Sequence, residues 1–157
     1  MILSDFLKEL LTILIAASPV SELRGAIPTA MFVWHFSVWK AYLLAVFGNF
    51  LPVIPLLLFW RHLSEWLFRK SYWCNRLFAW LFERTRRNHS HRFEIWEEIA
   101  LFIFVAIPLP LTGAWTGTVA AFIFDIPFWK AVLMILLGII VAGAIVSFLS
   151  AAGLSLI

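Results

Sequence analysis

Two short stretches of this sequence combine polar side chains with a backbone that cannot stay helical. The first is Ser18-Pro19-Val20-Ser21-Glu22-Leu23-Arg24-Gly25-Ala26-Ile27-Pro28-Thr29. An acid and a base stand two residues apart between two prolines, inside an otherwise apolar region. Ionisable groups at membrane depth are costly, and where they occur they line cavities or pathways. Glu22 can bind and release a proton, with burial and the nearness of Arg24 setting the balance. Arg24 can grip a phosphate or carboxylate through two parallel hydrogen bonds. The bland alternative is a surface loop in which both groups are solvated.

The second stretch is Pro108-Leu109-Pro110-Leu111-Thr112-Gly113-Ala114-Trp115-Thr116-Gly117-Thr118. Gly113 and Gly117, four residues apart, allow close backbone approach. Thr112, Thr116 and Thr118 supply hydroxyls, and Trp115 supplies a ring with one donor. The free amides at the start of a helix attract anions. A tight helix–helix contact without a ligand explains the same residues. Candidate substrate- or ion-binding residues are therefore Glu22, Arg24, Pro28, Pro108, Pro110, Thr112, Gly113, Trp115, Thr116 and Gly117. Asn49, which shares an apolar run with Pro52 and Pro55, is a further candidate, with a structural bond between helices as its alternative.

The remaining residues offer little chemistry. There is no phosphate loop, nucleophilic triad or paired-carboxylate arrangement, so an enzyme is not expected. His89 and His91 are too few to hold zinc, and no metal or cofactor is expected. The single cysteine, Cys74, rules out an internal disulfide.

The elements that position these stretches belong in lipid. Of 157 residues, 63% are hydrophobic and 13% charged, against about 45–50% and about 25% in soluble domains. So small a globule cannot hide that excess. Nine Trp and sixteen Phe suit membrane interfaces. Asp5, Lys8 and Glu9 precede the first apolar run, unlike the basic leader of a signal peptide, so that run is expected to be retained.

Ala41–Trp60 and Ala131–Ile157 carry no ionisable side chain. Both reach the ~20 residues that a spanning helix needs. Leu10–Ser21 with Gly25–Trp34, and Ile99–Phe124, read instead as helix, break, helix, because proline removes a donor and disfavours helix before it. Either they cross as broken helices, or they turn back at mid-depth. Short apolar runs favour the re-entrant form.

The halves repeat. Ninety residues apart, Ala30, Phe32, Trp39, Lys40, Ala41, Leu43 and Gly48 meet Ala120, Phe122, Trp129, Lys130, Ala131, Leu133 and Gly138. With short gaps, Pro19 meets Pro108 and Gly25 meets Gly113. Eight of the twelve basic residues lie between Arg61 and Glu98, which assigns that connector to the cytoplasm. Trp60, Leu63, Trp66, Leu67, Trp73, Leu77, Trp80 and Leu81 recur there at helical spacing, the pattern of an interfacial amphipathic helix. If 99–128 re-enters, Lys40 and Lys130 lie on opposite faces and the repeat is inverted. If it crosses, the repeats are parallel. Both lysines are expected to snorkel at the interface.

Glu22-Leu23-Arg24-Gly25-Ala26-Ile27-Pro28 early and Pro108-Leu109-Pro110 with Thr112-Gly113-Ala114-Trp115-Thr116-Gly117 late resemble the small multidrug export protein family over nearly the whole chain. The layout is similar to the DedA superfamily, whose two re-entrant hairpins meet at a membrane site with acidic and arginine residues. That similarity implies proton-dependent translocation of lipids such as polyprenyl phosphates. Here Thr112, Trp115 and Thr116 stand where that superfamily has a second arginine.

The expectation is an all-α integral membrane protein with two inverted repeats, 4–60 and 99–157, each a re-entrant hairpin followed by a transmembrane helix. The cytoplasmic connector 61–98 joins them in one membrane domain. The expected function is a small proton- or ion-coupled exporter of the cell (inner) membrane, with its site between the hairpins. A DedA-like lipid flippase or scramblase and a non-transporting scaffold are the alternatives. Two spans cannot shield two hairpins from lipid, so a homo-oligomer, a dimer, is expected. The other partners are the bilayer and a small-molecule or lipid substrate, with no nucleic acid.

Overall fold

The structure, a computed structural model, describes residues 4–70, 91–109 and 112–153. Most of the amphipathic connector and Pro110 lie outside the described residues.

Helix α1, Asp5–Ala17, begins at Ser4, whose hydroxyl accepts from the Leu7 amide, the usual capping of an orphan donor. Its last turn closes on Ser18, and the hydroxyl of Ser18 donates to the Ile15 carbonyl and accepts from the Ser21 amide. Pro19 follows and cannot extend the ladder. The chain restarts as α2, Glu22–Pro28. Pro28 brings no donor, and the next turn, Thr29–Val33, is a π-helix, the wider winding found where a helix is interrupted. Helix α3, Val38–Phe50, and helix α4, Val53–Lys70, meet at Leu51 and Pro52. The stretch Val38–Leu63 contains an 18-residue window with a mean hydropathy of 2.1 and is long enough to cross a membrane. The sequence ends this span at Trp60. The helix runs on to Lys70, into the connector where the sequence also expects helix, and no glycine or proline interrupts 56–70.

The second half follows the same plan. Helix α5, His91–Ala106, stops before Pro108. Helix α6, Ala114–Ile123, restarts after Gly113. Helix α7, Phe128–Ala151, spans 24 residues and contains an 18-residue window with mean hydropathy 2.9; it is about 36 Å long at the helical rise, more than the ~30 Å hydrocarbon layer. The described residues are helical throughout, without strands. Two stretches, Val38–Leu63 and Phe128–Ala151, are long and apolar enough to cross a membrane.

Packing repeats as well. α1 lies against α3, and α5 against α7. A Cβ on Gly48 would stand 2.6 Å from the Ile13 carbonyl oxygen and 2.9 Å from the Ala16 Cβ. A Cβ on Gly138 would stand 2.6 Å from the Val105 Cβ and 3.2 Å from the Phe102 carbonyl oxygen. Each glycine thus closes its span onto the first helix of its own half, as small residues do in lipid, where burial of apolar surface drives nothing. His35 and Asp125, equivalent in the repeat, both take positive φ, 56° and 53°, just before α3 and α7. Lys40 pairs with Glu9, and Lys130 with Glu98, each at 2.6 Å. These carboxylate partners were not foreseen for the two lysines. Trp39 and Trp129, each one residue earlier, are 76% and 78% exposed, the placement of an interfacial aromatic belt.

The two halves interlock. α2 packs on α3 and α7, α6 packs on α4, and α3 meets α7 between them. The buried seam is built from Ala26, Ala45, Ala114, Ala121, Ala131, Ile135, Ile139 and Ala142.

Candidate functional site

The two chain breaks, sequence-distant by about ninety residues, face each other. Glu22 opens α2 with φ of 45° and is only 8% exposed. A non-glycine residue rarely adopts that conformation. Its carboxylate accepts from the Trp115 backbone amide in the first turn of α6, at 3.4 Å. That amide is one of the orphan donors at a helix start, where the dipole favours negative charge. The Arg24 guanidinium stands 3.9 Å from the same carboxylate and donates to the Thr112 carbonyl. The acid and the base of the first break therefore each bind backbone of the second.

Gly113 makes this approach feasible. A Cβ there would collide with the Glu22 carboxylate. Thr112 shapes the turn before it: its hydroxyl accepts from the Leu109 amide at 3.1 Å and donates towards the Ile107 and Leu109 carbonyls, at 2.7 and 2.9 Å. Helix α5 ends before Pro108, and one threonine hydroxyl serves several backbone groups of the turn that follows. The Trp115 indole donates to the Ala17 carbonyl at 3.0 Å, tying the second break to the end of α1.

Glu22, Arg24, Pro108, Thr112, Gly113 and Asn49 surround one cavity, with Leu23, Val105, Ala114, Ile139 and Ala142 completing its wall. Its volume is about 10 Å³, room for about one water. Sites for drug-sized ligands run to about 300–1,000 Å³, so this cavity is too small for such a ligand. Asn49 is 1% exposed, and its amide oxygen has no hydrogen-bond partner among the described residues.

The other candidates lie apart from the cavity wall. Trp115 reaches the site only through its backbone amide, which donates to Glu22. Thr116 donates to the Gly113 carbonyl at 3.3 Å within its own turn. Gly117 packs under α5 and α7, where a Cβ would stand 2.6 Å from Val105. Pro28 sits at the far end of α2, where the π turn begins. Pro110 lies outside the described residues.

Sequence reasoning passed over three supports. Trp60 donates to the Thr118 hydroxyl at 3.3 Å and stacks on Phe122 at 6.0 Å, locking α4 to α6. Glu9 and Glu98 hold the repeat lysines. Their spacing of 89 residues, one short of the repeat length, was the available signal.

A family model, described as "Putative small multi-drug export protein", matches residues 22–145. The match begins at Glu22, where the helix restarts after the first break, and contains the second break, all of Val38–Leu63 and most of α7. No curated protein and no solved structure matches the sequence.

Proposed function

The chain belongs to the small multi-drug export protein family, and from that premise we propose that it is a small proton- or ion-coupled exporter working at the junction of its two chain breaks. Glu22 is the proton or cation site. Arg24 is its partner and, when the carboxylate is neutral, an anion ligand. The observation that carries the reading is the meeting of a buried carboxylate, a guanidinium and a helix start across the two halves. A purely structural ion pair is weak support for stability, because desolvation offsets the attraction. The arrangement is better explained by charge that must move.

Each half is a re-entrant hairpin followed by a span, and the two are inverted in the membrane, with 61–98 cytoplasmic. The recurring glycine, lysine and positive-φ positions support the repeat. Loading requires the breaks to separate, since a cavity of about 10 Å³ admits no drug-sized substrate. Alternating access in inverted repeats proceeds by one half rocking against the other. The unshielded hairpins meet a second copy, which makes the working unit a homo-oligomer, a dimer, in the inner membrane.

The test is flux in liposomes holding the purified protein, with an imposed proton gradient and a panel of fluorescent lipophilic cations and anions. Gradient-dependent flux that falls by at least about tenfold in Glu22→Gln and Arg24→Ala is expected. Flux indifferent to both substitutions overturns the mechanism. Transfer of fluorescent lipid without solute flux would instead establish a lipid translocase.

A further inference from the structure

We infer that Asn49 completes the Glu22–Arg24 site: its amide oxygen and the Glu22 carboxylate together hold one water molecule, through which Glu22 exchanges its proton. The inference rests on the reading of Glu22 as a proton site and names the route by which that proton moves.

Three observations converge on it. The cavity has the volume for one water. Its polar lining is confined to Glu22, Arg24, Asn49 and Thr112 together with nearby backbone. Asn49 is buried to within 1% of full exclusion, yet its amide oxygen finds no donor among the described residues. A buried polar atom left unpaired costs about 1–3 kcal/mol, so an acceptor kept in that state beside a cavity is expected to be met by a donor inside it. The repeat sharpens the point. Ninety residues on, Ile139 occupies the equivalent place and lines the same cavity. One half presents an apolar wall there and the other an amide. Packing alone would be satisfied by the apolar choice.

Water fits better than a metal ion. A bare cation would share the space with the Arg24 guanidinium, which lines the same cavity, and like charges in a poorly screened interior repel strongly. A water needs only two to four polar partners. It donates one hydrogen to Asn49 and the other to the ionised Glu22. When the carboxyl is protonated, the O–H donates to the water oxygen instead. Arg24 is the one other ionisable residue on the cavity wall, so it alone adds its charge there.

Infrared difference spectroscopy on the full chain in liposomes tests this without knowledge of the substrate. The carboxyl stretch abolished by Glu22→Gln is followed on transfer from H2O to D2O. Asn49→Leu, which removes the amide and fills the cavity, is expected to slow deuteration of that carboxyl by at least about tenfold, while Asn49→Ser, which keeps a hydroxyl, stays within about threefold of the unsubstituted chain. A merely structural asparagine would leave the exchange rate unmoved. If Asn49→Leu does not fold, Asn49→Val carries the same expectation. Unchanged exchange in a folded apolar variant overturns the inference. So does a shift of the band on adding sodium at constant ionic strength, which would mark a metal-ion site. If no titrating carboxyl band disappears with Glu22→Gln, the proton-site reading itself falls, and this inference with it.

Discussion

At Gly113 the missing side chain and the backbone both matter, because the Glu22 carboxylate occupies the space a Cβ would take and a φ of 157° is one that other residues rarely adopt. Gly113→Ala should therefore push that carboxylate away from the Trp115 amide and the Arg24 guanidinium. A double-mutant cycle reads this directly. Gly113→Ala should cost more stability in the natural chain than in Glu22→Ala, with a coupling of about 1–3 kcal/mol. Additive losses, measured by thermal or denaturant unfolding in detergent, would mean that the two residues do not meet. Arg24→Ala is expected to cost about 2–4 kcal/mol, since it strands a carboxylate that is only 8% exposed. Arg24→Lys should recover part of the stability but not the fork that reaches both Glu22 and the Thr112 carbonyl.

Among the elements, the spans are held to their own first helices by two glycines in register. Gly48→Ala and Gly138→Ala place a methyl against Ile13 and Ala16 in one half and against Phe102 and Val105 in the other. Each should destabilise by about 1–3 kcal/mol, the usual cost of overpacking, and by similar amounts, because the contacts are equivalent. Gly143→Ala meets the Tyr42 ring and Val46 at 2.9 and 3.0 Å, and a ring can give more readily than a backbone carbonyl. A ranking in which Gly143→Ala is the most damaging of the three would contradict this packing. The breaks themselves were legible: Pro19 and Pro108 stand beside them, and each helix restarts within a few residues. The exact restart at Glu22 was not legible, because it depends on a positive-φ residue that local preference disfavours.

For the whole molecule, the proposed inverted topology is put to the test by a labelling experiment. Trp39 and Trp129 are equivalent, exposed, and next to the paired lysines. In a Cys74→Ser background, Trp39→Cys and Trp129→Cys should react with a membrane-impermeant thiol reagent from opposite faces of the bilayer. Labelling of both from one face would make the repeats parallel. Inverted halves would put the Glu9–Lys40 and Glu98–Lys130 pairs on opposite sides. Rocking of one half against the other could then open one pair's side while the other stays closed.

The sequence by itself determined the apolar character and the breaks, and it carries the residue matches at a ninety-residue spacing. Apolar excess, matching residues at one spacing, and proline chemistry are properties of the chain read locally or against itself. It also marked Glu22 and Arg24 as costly in an apolar setting. Only the tertiary structure decided what they face. Trp115, Thr112 and Gly113 reach Glu22 and Arg24 from about ninety residues away, and nothing in either local stretch encodes that meeting. Asn49 shows the same division. Its polarity within a hydrophobic run was visible, but that its oxygen lies buried beside the Glu22 cavity follows from how α3 packs against α2 and α7. Packing brings together the close approaches of small residues on separate helices, and one-dimensional spacing does not specify which small residues will meet.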